Sequence, residues 1–173
     1  MSRAALFLDR DGVINIDLGY VHKPDNFHFI DGIFDLVNAA NQKGYLVIIV
    51  TNQAGIGRGY YSEKEFNLLT DWMRNKFKIN YGRIDAVYFC PFHPEYGIGS
   101  YKKESNYRKP APGMFLKARN DFDIDFTKSI LIGDKISDIK AGIEAKINKI
   151  FFLNGSYKST IKIRSLKEII PFL

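Results

Sequence analysis

Short apolar runs alternate with segments of helical periodicity along the whole chain, and this alternation constrains the fold more than any other feature. Short continuous apolar runs between helical patterns are typical of strands that are buried on both faces. Five runs fit this description: 4–8, 46–50, 84–89, 129–132 and 150–153. Strands that alternate with helices predict an α/β domain whose sheet is mainly parallel.

Helical patterns fill the intervals between these runs. Ser62 and Glu65 form a capping box, which predicts that a helix begins there. Asp31 is expected to cap an earlier helix that ends near Gly44. Further helices are expected after Pro112, over 136–145 and over 165–170.

The length of 173 residues predicts a single domain spanning 1–173, because one domain per roughly 150 residues is typical. Hydrophobic residues make up 46% of the chain, which excludes a disordered or fibrous protein. Cys90 is the one cysteine, so an internal disulfide is excluded. The apolar runs are too short to span a bilayer and no signal-peptide pattern appears, so the expected location is the cytoplasm.

The chain carries 25 Lys and Arg residues against 19 Asp and Glu residues, a net charge of +6. An excess of positive charge fits an anionic ligand, although it also serves solubility alone. No arginine-rich block or tandem basic helix appears, so a small phosphorylated molecule is a better expected partner than nucleic acid or a membrane. A monomer is expected.

Two stretches, 12–30 and 91–111, are long for plain connections. Long loops in a compact domain usually cover or line a binding site. Both follow predicted strands, and ligands of open α/β sheets bind at the carboxyl ends of the strands. We therefore expect these two loops to cover the active site.

An acidic pair follows the first predicted strand. Asp9 and Asp11 are two residues apart, so both carboxylates can converge on one site just past the strand end. Paired carboxylates repel unless a cation lies between them, and oxygen ligands suit Mg²⁺. An aspartate there also serves as a covalent nucleophile. The alternative is a polar turn that ends the strand.

Polar residues also follow the second strand. Thr51, Asn52 and Gln53 carry a hydroxyl and two amides that are able to donate to phosphoryl oxygens, although such residues also favour turns. The glycines of 55–59 lack both the P-loop ending and the dinucleotide-binding spacing. We interpret 55–59 as a flexible loop.

Basic and acidic residues precede or begin the last helices. Lys109 is suited to stabilise charge on a phosphoryl group, and the planar fork of Arg108 is suited to a second phosphate. Asp134 ends the fourth strand and Asp138 follows one helical turn later, so either is a candidate third ligand for the cation. A solvated basic pair and a capped helix start are the alternatives.

Taken together, an acidic pair, a hydroxyl, a lysine and a second acidic pair each follow a predicted strand or open a helix, in the order that is typical of the haloacid dehalogenase-like (HAD) phosphatases. The chain resembles this superfamily over nearly its full length. The resemblance implies a Rossmann-like sheet without a large cap domain, and Mg²⁺-dependent phosphoryl transfer through an aspartyl-phosphate. Within the superfamily, segments such as LFLDRDGVIN, VTNQAGIGRG and RKPAPGM resemble the D-glycero-D-manno-heptose-1,7-bisphosphate 7-phosphatases, which are related to histidinol-phosphate phosphatases.

This resemblance also implies a role for individual residues. Asp9 is implied as the nucleophile and Asp11 as the general acid and base. Thr51 and Lys109 are implied to hold the transferring phosphoryl group, while Asp9, Asp134 and the backbone carbonyl of Asp11 bind Mg²⁺. The implied substrate-binding residues are Asp17, Gly19, Tyr20, Asn52, Gln53, Arg108 and Lys135. The expected pathway is the biosynthesis of nucleotide-activated heptose for lipopolysaccharide.

One family feature is broken. Family members hold a structural zinc in the second loop through Cys-x-His followed by Cys-x-Cys. Cys90 remains here, but the other three ligand positions hold Phe92, Ser105 and Tyr107. His93 lies one position beyond a ligand position. One thiolate cannot form a tetrahedral site, so no structural zinc is expected.

Three alternatives remain open at this point. A histidinol-phosphate phosphatase would use the same core motifs and differ in substrate. A receiver-type signalling domain also combines Mg²⁺ with an aspartate, but it places the phosphorylated residue away from the acidic pair. A catalytically silent phosphate-binding protein would be expected to lack one of the motifs.

Overall fold

Parallel strands form a single sheet in the computed structural model, which describes residues 2–173. In chain order they are β1 (Ala5–Leu8), β2 (Leu46–Asn52), β3 (Ala86–Cys90), β4 (Ile130–Gly133), β5 (Lys149–Leu153) and β6 (Ile161–Ile163). Across the sheet the order is β3-β2-β1-β4-β5-β6, and every neighbouring pair is parallel. The predicted α/β fold with a parallel sheet is confirmed.

The five predicted strands all exist, with ends that lie within two residues of the expected ones. The edge strand β6 was not predicted from the sequence. Two of its three residues are exposed, so it presents no apolar run long enough to recognise.

Helices cover both faces of the sheet. They are α1 (Ile33–Gln42), α2 (Ala54–Gly57), α3 (Glu63–Ile79), α4 (Gly113–Phe122) and α5 (Ile136–Glu144). Side chains alternate along each strand, so that Leu6 and Leu8 of β1 join one core while Ala5 and Phe7 join the other. The first core is closed by α1, α3 and the C-terminal 3-10 helix Leu166–Phe172, and the second by α4 and α5.

Two helix starts were predicted from capping residues, and one prediction was wrong. The capping box of α3 is confirmed: the Glu65 backbone N–H donates to Ser62 Oγ at 3.1 Å, and the Ser62 N–H donates to the Glu65 carboxylate at 2.7 Å. Asp31 does not cap α1. Gly32 occupies that position with φ of 83°, a backbone conformation that favours glycine, and Asp31 pairs with Lys167 instead.

The glycine-rich stretch after β2 also differs from the expectation. The interpretation of 55–59 as a flexible loop was wrong, because its first half forms the short helix α2. A Cβ atom on Gly57 would collide with the backbone carbonyl of Pro91, and one on Gly55 would collide with the ring of Tyr61. These glycines therefore permit close packing of α2 against its neighbours.

The connections at one end of the sheet determine where a ligand can bind. From β1 the chain continues to β2 on one side, while β4 lies on the other side, so the strand order reverses at β1. The long segments 9–32 and 91–112 leave the carboxyl ends of β1 and β3, as predicted for the loops 12–30 and 91–111. A crevice at such a reversal is the usual ligand site of open α/β sheets. Within residues 2–173, no helix combines the length and apolarity that crossing a membrane requires.

Candidate active site

Polar side chains from three neighbouring strands meet at the carboxyl end of the sheet. Asp9 directly follows β1, Thr51 is the second-to-last residue of β2, and Asp134 directly follows β4. Asp9 and Thr51 are buried, and Asp134 is partly buried. Because β1 lies between β2 and β4, these three residues stand side by side.

Lys109 enters this group from the second long loop. Its side chain is 2% exposed, and Nζ donates to Asp9 Oδ1 at 3.0 Å and to the Val50 carbonyl at 2.8 Å. The same nitrogen lies 2.7 Å from Asp138 Oδ1. Burial lowers the pKa of the ammonium, but the two carboxylates outweigh burial and raise it, so Lys109 is held as a cation.

The Lys109 backbone is attached to the end of β2. The Asn52 side chain donates to the Lys109 carbonyl and accepts from the Lys109 N–H, both at 3.0 Å. Asn52 was predicted as a substrate-binding residue, and the structure shows that its amide binds the protein backbone. The paired hydrogen bonds fix a loop residue to the sheet.

Three carboxylates, two of them buried and one partly buried, form a cluster, and the Lys109 ammonium contacts two of them. One oxygen each of Asp9, Asp134 and Asp138 lie within 4.8 Å of one another. Burial and the charge of Asp138 raise the pKa of Asp9 to about 7, although Lys109 acts in the opposite direction. Burial and Asp138 also raise the pKa of Asp134 to about 6. The cluster therefore holds more negative charge than its cation balances.

One atom of this cluster points to a missing partner. Within residues 2–173, Asp134 Oδ1 is buried without a hydrogen bond, which is rare for a polar atom in a folded protein. Gly12, with φ of 98°, approaches Asp134 so closely that a Cβ atom would collide with the carboxylate. An oxygen-only donor set with an unpaired, geometrically fixed carboxylate fits a divalent cation such as Mg²⁺.

The Asp11 carboxylate faces a different set of partners from the Asp9 carboxylate. Oδ1 accepts from Arg10 Nη2 at 2.9 Å and from Asn15 Nδ2 at 3.0 Å. Oδ2 accepts from Arg10 Nε at 3.2 Å and from Gln53 Nε2 at 3.0 Å. The structure thus connects Asp11 with Thr51 through the Gln53 amide while its carboxylate stays outside the three-carboxylate cluster.

Two residues that support Asp11 were not predicted from the sequence. Arg10 is 1% exposed, and its Nη2 also donates to the Val21 carbonyl at 2.6 Å. Tyr61 donates from its hydroxyl to Gln53 Oε1 at 2.5 Å, which fixes the Gln53 amide so that Nε2 faces Asp11 and Thr51. An arginine between two aspartates was the available signal for Arg10. No local pattern marks Tyr61.

The predicted substrate-binding residues line one cavity of about 410 Å³ beside this group, together with Asp11 and Tyr61. The structure brings together all of them: Asp17, Gly19, Tyr20, Asn52, Gln53, Arg108 and Lys135. They come from the first long loop, from the end of β2, from the second long loop and from the start of α5. A small polar molecule can therefore contact every one of these segments at once.

Charged residues of the cavity differ in how they are paired. Lys135 Nζ lies 2.8 Å from Asp17 Oδ2 across the mouth of the cavity. Burial alone would raise the pKa of Asp17, but hydrogen bonds from Lys135 and the Gly19 N–H lower it. Arg108 is partly buried, and its closest polar contact is the Phe92 carbonyl, 3.4 Å from Nη1. Arg108 therefore keeps most of its donors free.

Aromatic and cationic side chains pack the second long loop. Phe92 lies under Lys103, whose Nζ is 4.1 Å from the ring centroid, and the Phe92 and Tyr101 rings are 6.0 Å apart. The Tyr101 hydroxyl donates to Glu63 of α3 at 2.9 Å. Cys90 is buried, and burial raises the pKa of its thiol. These contacts connect the loop to α3.

Comparisons with known proteins bear on this site. Residues 106–168 match the family model described as HAD-hydrolase-like. The chain is 53% identical to the D-glycero-alpha-D-manno-heptose-1,7-bisphosphate 7-phosphatase of Burkholderia mallei, over 100% of this chain and 95% of the relative. It is 44% identical to the D-glycero-beta-D-manno-heptose-1,7-bisphosphate 7-phosphatase of Vibrio cholerae, over 100% of this chain and 97% of the relative.

A solved structure shares the fold. The D,D-heptose 1,7-bisphosphate phosphatase from B. bronchiseptica, complexed with magnesium and phosphate, superposes with a TM-score of 0.87. The two sequences are 25% identical, and the superposition covers 98% of this chain and 97% of the other. The similarity thus extends over the sheet, both long loops and the cavity.

Proposed function

Because the chain belongs to the family of D-glycero-D-manno-heptose-1,7-bisphosphate 7-phosphatases, within the HAD phosphatases, we propose that it removes the C7 phosphate of heptose 1,7-bisphosphate. The observation that carries this proposal is the position of the cavity. Arg108, whose one side-chain hydrogen bond in residues 2–173 goes to the Phe92 carbonyl, lines the same cavity as Asp11 and Gln53, which adjoin the proposed reacting residues. A substrate with a phosphate at each end suits this arrangement.

Mg²⁺ is the proposed cofactor. Asp9, Asp134 and the backbone carbonyl of Asp11 would hold it, in line with the unpaired oxygen of Asp134. When bound, Mg²⁺ offsets negative charge on the phosphoryl oxygens during transfer. The magnesium in the B. bronchiseptica relative supports this choice of cation.

Asp9 is the proposed nucleophile. Its Oδ1 accepts hydrogen bonds from Lys109 Nζ and from the Arg10 N–H, so these donors fix the carboxylate and leave Oδ2 to attack phosphorus in line. Lys109 and the Thr51 hydroxyl hold the transferring group and stabilise its equatorial oxygens. The product of this step is an aspartyl-phosphate.

Asp11 is the proposed general acid and base. It protonates the leaving sugar oxygen and then activates the water that hydrolyses the aspartyl-phosphate. Arg10, Asn15 and Gln53 orient its carboxylate toward the cavity. These contacts hold Asp11 in the same place for both steps.

We also propose that this chain holds no structural zinc in the second long loop. The second long loop is packed by Phe92, Tyr101 and Lys103, and Cys90 lies buried beneath it. We further propose that the enzyme acts in the cytoplasm as a monomer. Its product would enter the biosynthesis of nucleotide-activated heptose for lipopolysaccharide.

Phosphate release from a panel of substrates tests the proposed function. The panel holds the α and β anomers of heptose 1,7-bisphosphate, histidinol phosphate and fructose 1,6-bisphosphate, each with and without Mg²⁺. We expect one or both heptose anomers to have the highest kcat/KM, and only with the metal. A preference for histidinol phosphate would assign the chain to the related activity instead.

A further inference from the structure

Arg58 lies at the junction of the two long loops, directly after α2. Its guanidinium carbon is 4.2 Å from the centroid of the Tyr96 ring and 5.7 Å from that of the Tyr20 ring. Tyr20 belongs to the first loop and lines the cavity, whereas Tyr96 belongs to the second loop. Arg58 therefore stacks on aromatic rings from both loops.

The polar atoms of Arg58 lack partners. Its Nε is buried without a hydrogen bond, and among residues 2–173 no carboxylate forms an ion pair with it. A buried donor without an acceptor costs free energy, so such donors commonly mark the place of a ligand, ion or water. The guanidinium has stacking contacts and unused hydrogen-bonding capacity.

Tyr20 connects Arg58 with a second arginine: its ring lies 5.7 Å from the Arg58 guanidinium carbon, and it lines the cavity together with Arg108. Burial lowers the pKa of Arg108, and the positive charge of Arg58 contributes to the same lowering. The negative group of Glu104 acts in the opposite direction, but it forms no ion pair with either arginine in the described chain. Two neighbouring cations without a bridging carboxylate repel each other, and an anion between them would remove the repulsion.

The surroundings of Arg58 are rigid. His93 Nδ1 accepts from the backbone N–H groups of Glu95 and Tyr96, each at 3.2 Å, which fixes the turn that presents the Tyr96 ring. The Ile98 N–H donates to the Gly57 carbonyl at 2.8 Å, which attaches this turn to the end of α2. Stacking on the two rings fixes the orientation of the guanidinium plane and leaves the N–H donors at its edges available for hydrogen bonds.

We propose that Arg58 is a specificity-determining residue that binds, together with Arg108, the phosphate that is not cleaved. This inference rests on the proposed function, because it requires a substrate with two phosphates. Two planar guanidinium groups are able to share the oxygens of one phosphate, each through paired hydrogen bonds. Tyr20 and Tyr96 then act as positioning residues that hold the Arg58 plane.

Kinetics on a matched pair of sugars tests this inference. Heptose 1,7-bisphosphate and heptose 7-phosphate differ only in the phosphate that Arg58 is proposed to bind. For Arg58→Gln we expect KM for the bisphosphate to rise about tenfold with kcat within about twofold, and KM for the monophosphate to stay unchanged. Arg58→Lys keeps the charge but not the planar fork, so its KM should lie between those of the wild type and Arg58→Gln.

Lys102→Gln is the control, because it removes an exposed cation of the same loop whose side chain forms no hydrogen bond or ion pair within residues 2–173. It should leave both KM values unchanged, and thermal melts should show that every variant is folded. Equal losses on the two sugars, or no loss on either, would overturn the specificity role of Arg58. A wild type that hydrolyses an aryl phosphate but neither heptose would instead overturn the proposed function, and this inference with it.

Discussion

Asn52 and Gln53, two residues at the end of β2, form hydrogen bonds that hold other residues of the candidate site in position. Asn52 binds the Lys109 backbone, and Gln53 connects Asp11 with Thr51. The sequence could predict which residues meet, because each follows a strand end or precedes a helix. It could not predict which residue holds which, since Asn52 and Lys109 are 57 positions apart and no local pattern couples them.

Asp9→Asn should abolish turnover without unfolding the protein. An amide is a poor nucleophile and a weaker metal ligand, so kcat should fall by about 10³-fold or more. The substitution also removes one charge from a repulsive cluster, which should leave the melting temperature of the metal-free protein unchanged or higher. Phosphate release and thermal melts measure the two effects.

Asp25→Asn is a matched control for this change, because Asp25 is exposed in the first long loop and away from the cluster. It should retain full activity. Metal-dependent activity in Asp9→Asn above a trace would contradict the covalent mechanism.

Arg108→Ala should distinguish a bisphosphate from simpler substrates. If Arg108 grips the phosphate that is not cleaved, its loss should cost about 2 to 4 kcal/mol of transition-state binding for heptose 1,7-bisphosphate. The cost should be much smaller for an aryl phosphate, which has no second phosphate. The ratio of kcat/KM values measures this, and equal costs would place Arg108 in general phosphate binding or in folding.

The second long loop shows what controls structure at the scale of one element. Phe92 packs against Lys103 and Tyr101 within the loop, and the Tyr101 hydroxyl binds Glu63 of α3. The sequence predicted that this loop lies over the site, but its internal packing depends on side chains of α3. The same limit explains α2, whose glycines pack against Pro91 and Tyr61, two residues that the local sequence does not connect with it.

Cys90→Ser should leave activity nearly unchanged if the loop needs no zinc. The thiol is buried, so placing a hydroxyl there should cost at most about 1 to 3 kcal/mol of unfolding free energy. Metal analysis of protein that is prepared without a chelator, paired with melts of the variant, measures both points. One zinc per chain that is lost together with activity in Cys90→Ser would contradict the proposal.

At the scale of the whole molecule, the sheet gathers buried negative charge at the place where the strand order reverses. The strand pattern predicted this parallel sheet and the end of it that holds the site. It could not predict the balance of charge there, because the pKa of Asp9 depends on burial and on Asp138, which lies in a different part of the chain. A fold that concentrates three carboxylates in this way is stabilised when a cation binds.

Mg²⁺ should therefore raise the melting temperature, and more so at pH 8 than at pH 5. Folding raises the pKa values of Asp9 and Asp134 above the ordinary value of 3.8, to about 7 and about 6. Carboxylates with raised pKa values lose stability as the pH rises from about 4 through these values. At pH 5 protons bind the carboxylates and compete with the metal. At pH 8 the carboxylates are ionised and repel one another, so a bound cation stabilises the protein more.

Melting curves with and without Mg²⁺ at the two pH values measure this effect. Asp134→Asn should melt higher than the wild type without metal at pH 8, and should respond less to Mg²⁺. If Mg²⁺ leaves the melting temperature of the wild type unchanged at pH 8, the assignment of this cluster as the metal site is contradicted.

The two hydrogen bonds between Asn52 and the Lys109 backbone also affect how such a protein can diversify. They make the position of the lysine depend on the sheet and not on the residues that precede it in the loop. The stretch between β3 and Lys109 is thereby free to gain, lose or exchange residues without displacing the lysine. Substitutions, insertions and deletions in that stretch can therefore change which sugar is bound while the chemistry of phosphate removal stays the same.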